Sequence, residues 1–255
     1  ATSVEKQQEE AVMTNGCEVI IEDGALVCKS AKIGILSEPS TAEGSEETRG
    51  IKVIISAGNI FHPGSCLLLR LPSTDNDDAG SDESGTMEVV IGKDNLFEES
   101  SRVVVDLKYE KEQRHVVMQT HNRFAPFSSV TCCSIGSANA FESSCRVQCV
   151  SIGSGNVFAP LVTFHPSTSD ITTPEEEKKD GGDDGMSEKV VFAIHNATWE
   201  EQTPSSSNDG RMIRTRPHCH GVQRNTNQVN DMLQTYKNII SKHHAVHSVG
   251  PIANS

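Results

Sequence analysis

Apolar residues recur at every sixth position of a thirteen-residue pattern that occurs six times along the chain. Three copies resemble one another closely and three are weaker. In every copy, positions 1, 7 and 13 are apolar, although only 35% of the whole chain is hydrophobic. Position 1 is Ile21, Ile55, Ile91, Met118, Ile135 and Ile152; position 7 is Val27, Phe61, Phe97, Phe124, Phe141 and Phe158; position 13 is Ile33, Leu67, Val103, Val130, Val147 and Phe164.

A six-residue apolar period fits neither an α-helix nor an alternating strand. It is typical of a coil with three short flat faces, whose inward side chains are buried in columns when coils stack. Position 2 is often Gly, which accepts unusual backbone dihedral angles, and position 5 is Asn in five copies, which tolerates left-handed ones. Stacked Asn side chains are expected to form a ladder. The sequence therefore predicts an all-β solenoid, a left-handed parallel β-helix with about seven coils.

The distances between copies locate the insertions. The copies that begin at 118, 135 and 152 are 17 residues apart, about one coil, whereas the earlier spacings of 34, 36 and 27 residues require inserted loops. Residues 190–194 (VVFAI) predict a strand that closes the stack. The predicted organisation is a flexible N-terminal tail 1–17, a β-helix 18–200 with loop insertions 37–50, 71–88 and 166–189, a linker 201–224, an amphipathic helix 225–247 and a tail 248–255.

The helix predicted near the C-terminus has apolar residues at helical spacing, and Thr226 or Asn227 can cap its start. Because a solenoid needs its apolar flank covered, we expect this helix to pack on the β-helix. Its apolar positions are Val229, Met232, Leu233, Tyr236, Ile239 and Ile240.

Charge is concentrated in the three insertions, which hold 18 of the 35 acidic residues and four basic ones, in a chain of net charge −13. Such stretches predict solvated loops or an acidic docking surface. The net charge argues against nucleic acid as a partner. No apolar run reaches the roughly 20 residues of a membrane span, and the first ten residues have no signal-peptide core. We therefore expect a cytoplasmic protein with no direct membrane insertion.

Candidate chemistry is sparse. None of the eight cysteines forms a Cys-x-x-Cys pair, which favours reduced thiols. Zinc hydration in a trimeric hexapeptide-repeat enzyme would need three aligned His ligands, but His62, His115, His121 and His165 fall at different repeat positions. His218-Cys219-His220 with His243-His244 has no diagnostic spacing. We predict no catalytic, cofactor-binding or metal-binding residues and no enzyme, with a trimeric γ-class carbonic anhydrase-like enzyme or acyltransferase as the alternative.

Three stretches together resemble the dynactin subunit 6 family of hexapeptide-repeat proteins. They are residues 90–98 (VIGKDNLFE), 134–142 (SIGSANAFE) and the terminal helical stretch 229–244. The opening residues 18–28 are also similar to that family, and the order of coils, insert, closing strand, linker and helix agrees. The long insertions at 71–88 and 166–189 depart from the family pattern.

This resemblance implies a non-catalytic structural subunit of the pointed-end complex of dynactin, which supports dynein-driven microtubule-based transport and cargo interaction. The implied partners are dynactin subunit 5, dynactin subunit 4 and the actin-related capping protein, in a cytoskeleton-associated hetero-oligomer. The family has no cofactor and no catalytic residues to carry over. Flat sides and open strand edges suit docking, and we expect the partner on a flat face of coils two to six, away from the helix. The sequence does not identify individual partner-binding residues.

Overall fold

This computed structural model describes residues 17–36, 50–71, 86–107, 114–148, 151–164, 197–201, 213–217, 221–248 and 250–252. Consecutive strands are distributed in turn among three sheets, here sheets A, B and C, and each A–B–C triplet is one coil. The described strands form coils one to six. Neighbouring coils pair in parallel in all three sheets, so the chain is a parallel β-helix.

The strand bounds follow the repeat. Sheet A contains β1 (Cys17–Ile21), β4 (Ile51–Ile55), β7 (Met87–Ile91), β10 (Arg114–Met118), β13 (Ser134–Ile135) and β16 (Ser151–Ile152). Sheet B contains β2 (Leu26–Val27), β5 (Ile60–Phe61), β8 (Leu96–Phe97), β11 (Arg123–Phe124), β14 (Ala140–Phe141) and β17 (Val157–Phe158). Sheet C contains β3 (Lys32–Leu36), β6 (Cys66–Arg70), β9 (Arg102–Asp106), β12 (Ser129–Cys132), β15 (Arg146–Gln148) and β18 (Thr163–Phe164).

The core consists of the three predicted columns. Position 1 of each copy pairs with position 1 of the next in sheet A, and positions 7 and 13 do the same in sheets B and C. The position-7 rings stack from Phe61 to Phe158, with centroid separations of 4.0, 4.8, 4.9 and 5.0 Å. These values match the spacing of about 4.8 Å between paired strands. The predicted inward columns are confirmed.

The corner between sheets A and B, here corner one (positions 2–5), contains the asparagine ladder. The side-chain Oδ1 of each of the first four ladder asparagines accepts the backbone N–H of the Asn one coil further along, at 2.9 to 3.0 Å. All five side chains are buried. The predicted ladder is confirmed, and it satisfies amides that would otherwise be buried without a partner. Its members are Asn59, Asn95, Asn122, Asn139 and Asn156.

The reasons predicted for the corner residues need correction. The left-handed residue of corner one is position 4, such as Asp94 (φ 59°) or Ala138 (φ 57°), and the ladder asparagines are not left-handed. Position-2 glycines also avoid positive φ, and what they provide is space. A Cβ on Gly92 would lie 2.6 Å from the carbonyl oxygen of Gln119, and one on Gly136 would lie 2.7 Å from the carbonyl carbon of Gly153.

The helix α1 spans Gly221–His243, so it begins and ends four residues before the predicted bounds of 225–247. The predicted linker 201–224 thus includes its first turn. Thr226 and Asn227, which were predicted as caps, lie inside the helix, and so does Asn225, which is buried. Its side-chain amide donates to the carbonyl oxygens of Ala138 (2.8 Å) and Asn156 (3.3 Å). This anchor on coils five and six explains why the helix starts earlier.

Residues 248–255 were predicted to be a tail, but the chain after α1 makes ordered contacts with the start of the stack. The N–H of His247 donates to the carbonyl oxygen of Val27 (2.8 Å), and β21 (Gly250–Ile252) pairs antiparallel with β1. Both contacts cover strand edges at the start of the stack. Open edges of parallel strands invite unwanted pairing, so this segment protects coil one.

The far end of sheet B is extended by β19 (Ala197–Glu201), parallel to β17, and by β20 (Ile213–Pro217), antiparallel to β19. The strand β20 falls in the predicted linker. The predicted strand at 190–194 and the insertion 166–189 lie outside the described residues. The predicted insertions 37–50 and 71–88 both follow a strand of sheet C, and the second ends before Met87, where β7 begins. Residues 1–16 of the predicted N-terminal tail also lie outside the described part, and Cys17 opens β1.

Candidate functional site

The outer face of sheet B is covered by α1. Val229, Leu233 and Ile240 of the helix are buried against Ile60 and Leu96 of the sheet. These outward sheet residues occupy position 6 of their coils, one residue before the inner phenylalanines, because side chains alternate across a strand. The helix therefore occupies one of the three flat faces, and sheets A and C present the other two.

A polar cluster lies between α1 and the middle of sheet B. The Arg123 Nε donates to Glu98 at 2.6 Å and its Nη1 donates to Glu142 at 3.2 Å. Burial alone would lower the pKa of Arg123, but the hydrogen bond and charges of the two carboxylates raise it. Burial and the charge of Glu98 raise the pKa of Tyr236 on the helix. With its charges paired, this cluster fixes helix to sheet and offers no reactive group.

His62 lies at the edge of this cluster. Its ring meets the Tyr236 ring edge-on, with 4.4 Å between centroids. Burial and the nearby His244 lower the pKa of His62 to about 4, so the imidazole is neutral at pH 7. A neutral histidine packed on an aromatic ring serves as part of the helix–sheet contact.

The histidines considered as zinc ligands lie in different places. His62 is beneath α1, His115 is in β10 of sheet A, and His121 is at corner one, with its Nε2 3.9 Å from Asp94. His165 and residues 218–220 lie outside the described residues. Among the side chains that the structure describes, no group of three or more His, Cys, Asp or Glu could hold a metal ion.

No disulfide bond joins any two of the six cysteines that the structure describes. Burial raises the pKa of Cys145 to about 12 and that of Cys17 to about 11, so both remain protonated at neutral pH. A protonated, buried thiol is a poor nucleophile and a poor metal ligand. Cys17 and Cys145 act as small core residues.

The outer face of sheet A combines a charged row with an apolar row. Glu18, Lys52 and Glu88 are aligned on successive strands, and Lys52 donates to Glu88 at 2.9 Å. Beside them runs an apolar row whose last member, Val116, is 51% exposed. A flat surface with paired charges and modest apolar exposure is compatible with protein contact. The apolar row consists of Ile20, Ile54, Val90 and Val116.

The outer face of sheet C carries basic residues where its strands begin. Lys32, Arg102 and Arg146 occupy position 12 of coils one, three and five, and all three are exposed. They share one aligned row, and none of its members is acidic in a chain of net charge −13. Its other members are Cys66, Ser129 and Thr163.

The corner between sheets B and C, here corner two (positions 8–11), adjoins this basic row. In all six coils the N–H of position 11 donates to the carbonyl oxygen of position 8 across a β-turn, as Ser128 does to Ala125 at 3.1 Å. Position 10 is left-handed from coil two onward. In coils four and six this residue is Phe127 or Leu161, which are 64% and 69% exposed. Each follows a proline, and Ser144 lies between them in coil five.

Comparison of the sequence with protein-family models and with curated proteins found no match. Within the described part of the chain, no helix has the length and hydropathy that crossing a membrane requires.

Sequence reasoning missed both the polar cluster and the corner-two residues. The cluster joins residues more than 90 positions apart along the chain, Arg123 and Tyr236 among them, and a repeat pattern alone does not place the helix over a particular coil. The corner-two signal was present: a proline at the second position of a turn favours a type II turn, whose third residue is left-handed and usually Gly or Asn. Pro126-Phe127 and Pro160-Leu161 break that preference.

Proposed function

We propose that this chain is a non-catalytic structural subunit of a dynactin-type assembly, equivalent to dynactin subunit 6. In this proposal the coils wind left-handed, number about seven and serve as a rigid platform in the pointed-end complex. The partners would be dynactin subunit 5, dynactin subunit 4 and the actin-related capping protein. The site of action would be the cytoplasm, on the cytoskeleton, in support of dynein-driven transport and cargo interaction.

One observation carries the proposal most strongly: the helix α1 packs along one face of a hexapeptide-repeat stack, and sheets A and C form the two other flat faces. Many proteins share the repeat, but its combination with a terminal helix that covers one side is what the resemblance depends on. The resembling stretches fall on matching structural units. Residues 90–98 and 134–142 each run from sheet A through corner one into sheet B, and residues 229–244 lie largely within α1.

The chemistry of the described residues also favours a structural role. The ionised groups under the helix are paired with one another, and the buried thiols remain protonated. What the molecule exposes instead is a set of rows at regular spacing along straight faces. Such surfaces match the uniform height of another β-helix, because both repeat at about 4.8 Å.

Co-expression with dynactin subunit 5 tests the proposal. The two chains are expected to elute together in size-exclusion chromatography, at a mass that light scattering assigns to a hetero-oligomer. Addition of dynactin subunit 4 and the actin-related capping protein should extend this complex. A variant with Phe141→Asp, which cannot stack its coils, should not enter the complex.

Two results would contradict the proposal. One is a well-folded chain that stays separate from dynactin subunit 5 at micromolar concentration. The other is a homotrimer that carries stoichiometric zinc and hydrates carbon dioxide, which would support the alternative of a hexapeptide-repeat enzyme. Mass measurement and metal analysis on the same sample distinguish these outcomes.

A further inference from the structure

Phe127 and Leu161 adopt a left-handed backbone conformation that their side chains disfavour. The left-handed region brings the Cβ of an L-residue close to its own carbonyl oxygen, so Gly and Asn adopt it readily and bulky residues rarely do. Coil two has Gly64 at the equivalent position, with φ 72°. Phe127 has φ 61° and Leu161 has φ 64°, and both project most of their surface into solvent.

The fold gains little from these two side chains. They are not members of either buried hydrophobic cluster among the described residues. Backbone strain held at an exposed position is a pointer to function, because neither buried cluster of the described residues offsets its cost. The strain and the exposure coincide at both residues, and the two lie two coils apart on one corner.

The basic row at position 12 runs beside this corner. Arg102 lies one coil before Phe127, and Arg146 lies one coil after it and one before Leu161. With about 4.8 Å between coils, Phe127 and Leu161 are roughly 10 Å apart along the stack, and so are Arg102 and Arg146. The corner also has two carboxylates that solvent reaches: Glu99 in coil three, which is exposed, and Glu142 in coil five, which is 26% exposed and ion-paired with Arg123. Apolar and cationic positions therefore alternate along one edge.

We propose that this edge, formed by Phe127, Ser144 and Leu161 together with Arg102 and Arg146, binds an extended acidic polypeptide segment. The partner segment carries apolar side chains three residues apart, which a polyproline II chain presents about 9 Å apart on one side. Its carboxylates meet the two arginines. Arginine and exposed aromatic residues are enriched in protein contacts, which favours a peptide over other anions.

This inference deepens the proposed function, because it assigns a platform protein one contact edge and one class of partner. Its test uses synthetic peptides and the full chain alone. Failure of the peptide test therefore leaves the co-expression experiment unaffected, and failure of co-expression leaves the peptide result valid.

The experiment measures fluorescence anisotropy of a labelled twelve-residue peptide with Leu at every third position and Asp between. The unchanged full chain is expected to bind it with a Kd in the micromolar range, weakened as salt rises because the arginines contribute. A peptide with Lys in place of Asp should not bind. A peptide of the same composition in scrambled order should bind at least threefold more weakly.

The deciding variant combines Phe127→Asn with Leu161→Asn. Asn tolerates the left-handed conformation, so this double variant should keep the fold and raise Tm by about 2–4 °C. Its affinity for the peptide should fall at least tenfold. Arg102→Gln with Arg146→Gln should weaken binding several-fold and remove most of the salt dependence. Ile239→Gln, at an exposed apolar residue of α1, is the matched control and should leave affinity unchanged.

Three outcomes would overturn the proposal. The first is that the unchanged chain binds no peptide at concentrations up to about 1 mM, the range in which weak contacts are detected. The double Asn variant could bind as tightly as the unchanged chain. Single-stranded DNA or vesicles of phosphatidylserine could bind through the same residues more tightly than the peptide, which would assign the edge to another anion.

Discussion

At corner one the chain turns around a buried amide ladder, whereas at corner two it turns around exposed side chains. Each corner is a four-residue turn with one left-handed residue. From coil two onward, the left-handed residues of the two corners are six positions apart along the chain. At corner one the next residue is the ladder Asn, fully enclosed. At corner two the residue that follows is small and buried in five coils, and the left-handed residue itself varies from Gly64 to Phe127.

The difference separates residues that specify the coil from residues that the coil tolerates. A buried amide has a fixed set of partners and admits few substitutes, because any change leaves a polar group without a hydrogen bond. An exposed turn residue needs only to adopt the backbone angle. Corner two can therefore vary in chemistry from coil to coil, and a contact surface can develop there without loss of the fold.

The largest expected effect comes from placing the same substitution in two phenylalanines. Phe141→Asp should abolish folding, because it removes a stacked ring and buries a charge, which together exceed the free energy of unfolding of about 5–15 kcal/mol. Phe127→Asp should change that free energy by less than about 1 kcal/mol. Circular dichroism and urea unfolding measure both. Strand content retained in Phe141→Asp would refute the inner column.

The asparagine ladder gives the next largest effect. Asn139→Ala removes the acceptor of both the N–H (2.9 Å) and the Nδ2 (3.1 Å) of Asn156. The expected loss of unfolding free energy is about 2–4 kcal/mol. At corner two of the same coil, Ser144→Asn should stay within about 0.5 kcal/mol, because Asn accepts the left-handed angle. Equal losses in the two variants would remove the distinction between the corners.

Substitutions of two glycines distinguish a position that lacks space for a side chain from a position that needs a positive φ angle. Gly136→Ala at corner one should cost about 1–3 kcal/mol, because the added Cβ would meet the Gly153 backbone at 2.7 Å. Gly64→Asn at corner two should cost less than about 1 kcal/mol, since its nearest neighbour would be the Ser100 Oγ at 3.4 Å and Asn tolerates positive φ. Thermal unfolding compares the two, and a larger loss at Gly64 would contradict this account of the corners.

A further effect concerns pH at the part of corner two that the helix covers. The pKa of His62, the first residue of the turn in coil two, is lowered to about 4 in the folded chain, so the unfolded chain binds its proton first. Stability should therefore fall as pH drops from about 6.5 towards 4. Tm measured across this range should decline less in His62→Gln. Glu98, Tyr236 and His244 surround this group and remain in the variant. If the Tm of His62→Gln declines as much as that of the unchanged chain, another group causes the pH dependence.

The interior could be predicted from the sequence because each inward residue repeats. Ile91, Phe97 and Val103 occupy the columns that the six-residue period predicts, and Asn95 lies in the expected ladder. The repeat determines these positions by burial alone. The prediction that Gly92 provides an unusual backbone angle was wrong, because the residue type at a corner does not distinguish a need for space from a need for positive φ.

The helix bounds and the last strand could not be predicted, because both depend on contacts between distant parts of the chain. Thr226 and Asn227 were predicted as caps, but the helix begins at Gly221, and Asn225 anchors it to the carbonyl oxygen of Ala138. Residues 250–252 have no period, and they form β21 only because β1 offers an edge. The exposed edge at Phe127 and Leu161 was missed because exposed apolar residues outside the repeat resemble ordinary loop residues.

Residue-resolved native-state hydrogen exchange tests the distinction between the two corners most directly. The backbone amides of Asn95, Asn122, Asn139 and Asn156 should exchange only through global unfolding, as slowly as the central strands of sheet B. The amides of Phe127 and Leu161, which donate at 3.3 and 3.2 Å on the exposed corner, should exchange at least tenfold faster through local opening. Ladder amides that exchange as fast as those of Phe127 and Leu161 would contradict the account.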